Sequence, residues 1–127
     1  MLLRLMPEEA LIYTMITASA VDRKITNDEL SRIGSIVKER LVKEAQDCGK
    51  LLAKPDGLAT VLQLIRDGLP THLYETAYVL TAELVATDLE VTSEEIRFLD
   101  MLGGKLEIDK LVCAALERAA RARHQKL

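Results

Sequence analysis

The amino-acid sequence predicts an all-α fold, a compact helical bundle of about six to seven helices built from two helix–loop–helix repeats. Aromatic residues make up 3% of the chain and tryptophan is absent, whereas β-sandwiches and barrels depend on aromatic and β-branched side chains. Apolar residues recur at spacings of three and four, and no segment sustains the apolar–polar alternation of a strand. The 127 residues suit one domain, 1–127, with a substantial core.

An internal repeat supports the division into two halves. Residues 22–30 read D-R-K-I-T-N-D-E-L, and residues 88–96 read D-L-E-V-T-S-E-E-I, 66 positions later. Each stretch has an Asp, an aliphatic residue three positions on, a Thr four on and a Glu seven on. Because a repeat at a fixed period fixes the architecture, we expect two equivalent helix–loop–helix units, each with an acidic loop.

The first half is predicted to contain two helices separated by the first acidic loop. Helix one begins at Pro7, a residue suited to a first turn, and runs to about Val21. Helix two begins after Thr26, which is spaced with Glu29 as a capping box, and fades near residues 46–49. The residues predicted to face the core from helix one are Ile12, Met15, Ile16 and Ser19.

Two shorter helices are predicted between the acidic loops. Helix three opens at Pro55 and ends at Gly68, and helix four opens at Pro70, because proline fits a first turn and glycine a helix end. The residues predicted to face the core are Leu58, Val61, Leu62 and Ile65 in helix three, and Leu73, Ala77, Leu80 and Leu84 in helix four.

Two further helices are predicted after the second acidic loop. Helix five begins after a second capping-box pair, Thr92 and Glu95, and the pair Gly103–Gly104 is expected to end it. The last helix runs from about Ile108 to His124. The residues predicted to face the core are Ile96, Leu99 and Leu102 in helix five, and Leu111, Ala115, Leu116 and Ala119 in the last helix.

Charge and composition exclude several classes of protein. The formal net charge is −3, which argues against binding nucleic acid through a globally positive surface. Cys48 and Cys113 lack the spacing of a metal or redox motif, so we expect two reduced thiols in a cytoplasmic protein. The opening MLLRLM is interrupted by Pro7 and two glutamates, so no signal peptide is expected. No segment has the roughly 20 uncharged apolar residues of a membrane-spanning helix.

The two acidic loops concentrate the site-like chemistry of the chain. Asp22 and Asp88 each follow a predicted helix, and a carboxylate at that end costs a few tenths of a kcal/mol to about 1 kcal/mol. A loop N–H group would offset the cost, and so would a cation. The pairs Asp22 with Glu29 and Asp88 with Glu95 bracket short loops. Their oxygen atoms suit a divalent ion, either calcium or magnesium, with zinc as a further alternative. Helix capping alone also accounts for both glutamates.

One pattern, A-x-D-x-x-[IV]-T-x-[DE]-E-[LI], occurs in both halves. Its matching residues are Ala20, Asp22, Ile25, Thr26, Asp28, Glu29 and Leu30, and then Ala86, Asp88, Val91, Thr92, Glu94, Glu95 and Ile96. In these residues the chain resembles the TerB family, the tellurite-resistance-associated helical domain. The resemblance implies a compact all-α fold, acidic residues that bind a divalent metal, and a role in tellurite and other stress responses. It also implies protein partners in complexes at the inner face of the bacterial membrane.

The loops depart from the family pattern in one respect. The family usually has Gly directly after the Asp, and this chain has Arg23 and Leu89 there. Glycine would permit a left-handed turn and a close approach to an ion. Arg23 and Lys24 also place positive charge beside Asp22, so the second loop, around Asp88 and Glu95, is the better candidate metal site.

The expected function is that of an interaction module, not an enzyme. None of the four serines has a histidine near it in sequence, and no glycine-rich phosphate loop follows a strand. We therefore expect a TerB-like module that binds a divalent ion and acts by protein–protein interaction, in the cytoplasm or peripherally at the inner membrane face. The alternatives are a metal-independent protein-interaction or membrane-surface scaffold, and a metal-dependent hydrolase that uses both acidic loops. The oligomeric state stays open.

The C-terminal segment differs in charge from the rest of the chain. Residues 117–127 carry four basic and one acidic side chain, a net +3, whereas residues 1–116 carry 13 basic and 19 acidic side chains, a net −6. Cations suit the negative pole of a solvated helix end. A dock for an acidic partner or for an anionic membrane surface is the functional alternative.

Overall fold

Six α-helices make up most of the computed structural model, which describes residues 4–20, 41–87 and 92–125. The helices are α1 (Pro7–Ala20), α2 (Leu41–Leu52), α3 (Gly57–Gly68), α4 (Tyr74–Ala86), α5 (Ser93–Lys105) and α6 (Lys110–Arg123), and a 3-10 turn at Thr71–Leu73 precedes α4. No strand occurs in these three ranges. The predicted all-α class is therefore confirmed.

Helix α1 is the central element of the core. It packs against α2, α3, α4 and α5, and its side chains from Ala10 to Ala18 are all buried except the half-buried Leu11. The hydroxyls of Thr14 and Thr17 donate to the carbonyls four residues earlier, at 2.7 Å each, so these buried polar groups are satisfied within the helix. The predicted inward residues Ile12, Met15 and Ile16 are all buried. The side chain of Ser19 lies outside the described residues.

Helices α2 and α3 cover one flank of α1. Helix α2 continues to Leu52, past the predicted end near residues 46–49, and it buries Cys48 with its sulfur 3.5 Å from the Thr17 hydroxyl. The predicted core residues of α3 are buried, apart from the half-buried Leu58. Gly68 ends α3 as predicted. A Cβ there would lie 2.8 Å from the carbonyl oxygen of Leu5, so glycine permits the N-terminal segment to cross closely.

Helices α4 and α5 form the second half of the bundle. Helix α4 ends at Ala86, two positions before Asp88 in the sequence, as predicted for the second acidic loop. It begins at Tyr74 and not at Pro70, because a 3-10 turn comes between. On α5, Leu99 and Leu102 are buried as predicted, but Ile96 is 57% exposed. The corresponding helix of the first half, beginning after Thr26, falls largely outside the described residues.

The end of α5 corrects another prediction. Gly103 and Gly104 lie inside the helix, which continues to Lys105. The stop comes at Glu107, whose φ is 57°, with Ile108 N–H bonded to Gly103 O at 3.0 Å and Glu107 N–H bonded to Gly104 O at 3.2 Å. These two bonds are those of a Schellman motif, with Glu107 in the position where glycine is commonest.

The inward face predicted for the last helix is wrong. Leu111, Ala115 and Ala119 are exposed, Leu111 at 82%. Of the α6 side chains, Ala120 alone is fully buried, with Cys113 and Leu116 half-buried beside it. The helix packs mainly on α4, and two of its polar side chains bind α4, as described below. Those polar contacts turn the apolar Leu111 toward solvent.

A matched pair of substitutions tests these helix faces. Leu99→Ala should lower the free energy of unfolding by about 2–5 kcal/mol, because it leaves a cavity in the core. Leu111→Ala should change it by less than about 0.5 kcal/mol, as exposed sites do. Urea unfolding midpoints of the two variants check this. An equal loss for both would mean that α6 faces the bundle through Leu111 after all.

Candidate functional site

The second acidic loop is described where it meets α5, and there it forms a complete capping box. Glu95 N–H donates to Thr92 Oγ1 at 3.2 Å, and Thr92 N–H donates to Glu95 Oε1 at 3.1 Å. The Thr92 hydroxyl also donates to Glu95 Oε1, at 3.2 Å. The glutamate is 2% exposed, and its negative charge faces the positive end of the helix. The predicted capping box is thus confirmed.

The four predicted metal ligands are only partly placed. Asp22, Glu29 and Asp88 lie outside the described residues. Glu95 lies in the first turn of α5, where one carboxylate oxygen accepts both bonds from Thr92. Within residues 4–20, 41–87 and 92–125, no three His, Cys, Asp or Glu side chains are grouped so that they could hold a metal ion.

A groove lies between α5 and α6. Its volume is about 680 Å³, within the range typical of ligand pockets. Helix α5 contributes Ile96, Arg97 and Asp100 to its walls, and α4 contributes Tyr78. The two helices approach at Gly103, where a Cβ would lie 2.9 Å from the sulfur of Cys113. No local sequence pattern predicts this groove, because its walls come from three separate helices.

Tyr78 and Glu117 join α4 to α6 beneath the groove. The Tyr78 hydroxyl donates to Glu117 Oε2 at 2.8 Å, and the tyrosine is 1% exposed. Burial raises the pKa of Tyr78 far above its ordinary value, and the nearby Glu117 carboxylate raises it further. The phenol therefore keeps its proton and donates a charge-assisted hydrogen bond, which is stronger than a neutral one.

Cys113 lies beside this pair on α6. Burial raises the pKa of its thiol, and the nearby Tyr78 hydroxyl opposes part of that rise. The thiol points to the carbonyl oxygen of Ile108 at 3.9 Å. A thiol with a raised pKa is protonated at neutral pH, and the thiolate is the nucleophilic form. The groove thus presents hydrogen-bond donors and apolar surface rather than an activated cysteine. Cys48 and Cys113 are both free thiols.

A second polar link ties the C-terminal end of α6 to α4. Arg123 forms an ion pair with Glu83 through its Nε atom. The Glu83 side chain is 8% exposed, whereas that of Arg123 is 66% exposed. Removing the arginine would leave a charge in the low-dielectric interior with less compensation, which is costly. The two histidines lie in separate elements: His72 in the 3-10 turn and His124 at the end of α6.

The outward side of α6 is a continuous exposed surface. Along it Leu111, Ala115, Arg118 and Ala122 are all exposed, and their spacing of four, three and four places them on one stripe of the helix. Arg121 flanks the stripe and is also exposed. We call these five residues the outer face of α6. The sequence signalled its charge, but assigned two of its members, Leu111 and Ala115, to the core.

Comparison of the chain with protein-family models, with curated proteins and with solved structures gives no match. The resemblance to the TerB family therefore stays a prediction from the two loop patterns. No helix in the described part of the chain has the length and apolar character needed to cross a membrane.

The buried tyrosine predicts a pH dependence of stability. The unfolded chain loses the Tyr78 proton near the ordinary pKa of 10.0, whereas the folded protein retains it. The stability that this group contributes is therefore present below that pH and is lost above it, by up to about 1.4 kcal/mol per pH unit. Tyr78→Phe should flatten the fall in unfolding free energy between about pH 9 and about pH 11.

Urea unfolding of the wild type and the Tyr78→Phe variant across that pH range measures the difference in their unfolding free energies. The contributions of other titrating groups, which both proteins share, cancel in that difference. Glu117→Gln is the control. It keeps an acceptor for the phenol, and burial is the larger cause of the raised pKa, so most of the alkaline loss should persist. Parallel curves for the wild type and Tyr78→Phe would show that the phenol is not held protonated.

Proposed function

We propose that the chain is a helical protein-interaction module of the TerB kind, which serves a stress response such as tellurite resistance. It acts in the cytoplasm, peripherally at the inner membrane face, through a protein partner and not by chemistry of its own. A divalent ion bound by the acidic loops regulates it. The support comes from the paired loop patterns, the all-helical fold and the exposed side of α6.

The exposed side of α6 is the observation that carries the interaction role. A helix of 14 residues in a small bundle ordinarily buries an apolar stripe. Helix α6 fully buries only Ala120 of that stripe, half-buries Cys113 and Leu116, and leaves Leu111 82% exposed on its other side. Ile96, at 57% exposure, adds a second large apolar side chain on the neighbouring α5. These two side chains are the apolar positions of α5 and α6 that a partner protein could cover.

The ion-binding role is supported by the loop pattern. Each loop provides two carboxylates at equivalent positions, Asp22 with Glu29 and Asp88 with Glu95. At the second loop, the capping box holds Glu95 in the first turn of α5. A calcium or magnesium ion would share that carboxylate with Thr92, since a carboxylate has about four acceptor positions.

Addition of a divalent ion should raise the melting temperature of the protein. A ligand that binds the folded state alone, at 100 times its dissociation constant, adds about 2.7 kcal/mol of stability. Thermal melts in calcium, magnesium or zinc, each against a chelator, measure the gain. Asp88→Asn should abolish it, whereas Glu95→Gln should retain the helix cap, because glutamine can still close the box.

Unchanged melting of the wild type in all three ions at millimolar concentration would remove the ion from the proposal. The proposed function would then be that of a protein-interaction module that acts without a metal ion. In that case Asp88→Asn should be neutral or slightly stabilising, since it removes a negative charge from the C-terminal end of a helix.

Site-directed photo-crosslinking in cells should trap a partner protein. A benzoyl-phenylalanine placed singly at Met6, Lys50, Ile96 or Leu111, all exposed, samples different parts of the molecule. We expect a discrete protein adduct from at least one position, detected by electrophoresis and identified by mass spectrometry. Failure to form an intermolecular adduct at all four positions, with the protein folded and abundant, would contradict the interaction role.

A further inference from the structure

We propose that the outer face of α6 binds an acidic amphipathic helix of a partner protein. The proposal rests on the interaction role and specifies its surface and the chemistry of its partner. The outer face comprises Leu111, Ala115, Arg118 and Ala122, flanked by Arg121. From Leu111 to Ala122 it extends about 16 Å along the helix, at 1.5 Å per residue, which matches a partner helix of about three turns.

The charge of the outer face identifies the partner as acidic. Arg118 and Arg121 are exposed, and neither takes part in an ion pair or side-chain hydrogen bond in the described part of the chain. The one acidic residue of α6, Glu117, is half-buried one turn before Arg121, and one of its carboxylate oxygens accepts from Tyr78. With two arginines and one glutamate, this part of α6 is net positive. The planar guanidinium group of arginine can bind a carboxylate through two parallel hydrogen bonds, which makes such contacts strong and directional.

The shape of the outer face suits a helix. Ala115 and Ala122 are small, so a second helix can approach closely, since the distance between helix axes depends on the side chains at the contact. Leu111, 82% exposed, stands at one end as an apolar anchor. An amphipathic partner helix binds through apolar anchor positions, and polar and charged contacts surround them at the rim. The expected partner carries apolar residues opposite Leu111 and Asp or Glu opposite the arginines.

The opposite side of α6 holds this face in place. Two polar links fix α6 to α4, one from Tyr78 to Glu117 and one from Glu83 to Arg123. They lie near the middle and at the C-terminal end of the helix. A surface fixed before binding loses less conformational freedom when a partner arrives, which favours affinity.

Two other occupants fit the outer face less well. A helix that lies in a membrane surface presents a broad apolar side rich in Trp, Phe and Leu, and this face has one leucine among alanines. A second copy of the chain, paired through the same face about a two-fold axis, would bring the two Arg118 side chains together near its centre. Like charges brought together in this way oppose association.

The first test uses a synthetic helical peptide with leucines on one stripe and glutamates beside it, labelled for fluorescence anisotropy. A peptide with every glutamate replaced by lysine is its counterpart. The protein should bind the acidic peptide at least about tenfold more tightly than the lysine peptide, which is about 1.4 kcal/mol, and added salt should weaken that binding. Equal binding of the two peptides overturns the proposal.

Charge reversal on the protein supplies the matched variants. The double variant Arg118→Glu/Arg121→Glu should weaken binding of the acidic peptide about tenfold or more. Lys50→Glu/Lys54→Glu changes the net charge of the protein equally, at exposed positions away from α6, and should leave binding within about twofold. Circular dichroism checks that both remain folded. Equal loss in the two double variants would indicate a general charge effect and overturn the proposal.

Photo-crosslinking at Leu111 distinguishes this proposal from the broader interaction role. An adduct at Leu111 whose crosslinked segment is acidic and helical supports it. Adducts at Met6 or Ile96 with none at Leu111 would be consistent with a protein-interaction role. They would overturn the proposal that the outer face of α6 binds the partner. Binding to phosphatidylglycerol vesicles but not to the acidic peptide would assign the face to a membrane surface. Concentration-dependent dimers in sedimentation, lost in Arg118→Glu/Arg121→Glu, would assign it to a second copy.

Discussion

Enclosure of α1 is the constraint on which the rest of this fold depends. From Ala10 to Ala18 nearly every side chain of that helix is buried, so it has apolar or self-satisfied surface on all sides and must be surrounded. Four other helices, α2 to α5, pack around it. Helix α6 is the exception and packs mainly on α4. It forms the outside of the bundle because α1 has no surface left for it.

That outer position explains why α6 is held by polar contacts. It fully buries one alanine, which contributes little apolar area compared with a leucine or phenylalanine. Cys113 and Leu116 also pack against the core while partly buried, and the hydrogen bond from Tyr78 to Glu117 and the ion pair of Glu83 with Arg123 add two polar contacts with α4. Both use groups of α4 that are almost completely buried, so a different orientation of α6 would remove one hydrogen-bonding or ionic partner from each. This cost fixes the orientation of α6, and with it the direction of the outer face.

The sequence predicted the features that depend on local chemistry. The helix spacing of α1, the capping box of Thr92 and Glu95, and the glycine end of α3 each involve residues within a few positions of one another. The orientation of α6 depends instead on Tyr78 and Glu83, more than 30 positions away in sequence. Alanine, which fills much of α6, is found both inside and outside proteins, so periodicity there carried little information. Of the four candidate ligands, Glu95 is placed by its cap, and the other three depend on loop conformations outside the described residues.

The proposed ion site and the proposed binding face meet at the last turn of α4. Glu83, which binds Arg123 of α6, lies three residues before the helix ends at Ala86. The second acidic loop leaves that same turn, where the Thr87 hydroxyl donates to the carbonyl of Leu84 at 2.6 Å. An ion in the loop and a partner on α6 would therefore act on one short segment of backbone. Their affinities are coupled only if that segment has two arrangements that both ligands distinguish, since coupling requires differential binding. If the last turn of α4 is rigid, the two sites are independent. Measuring the affinity for the partner with and without the divalent ion therefore shows whether α4 couples the two sites.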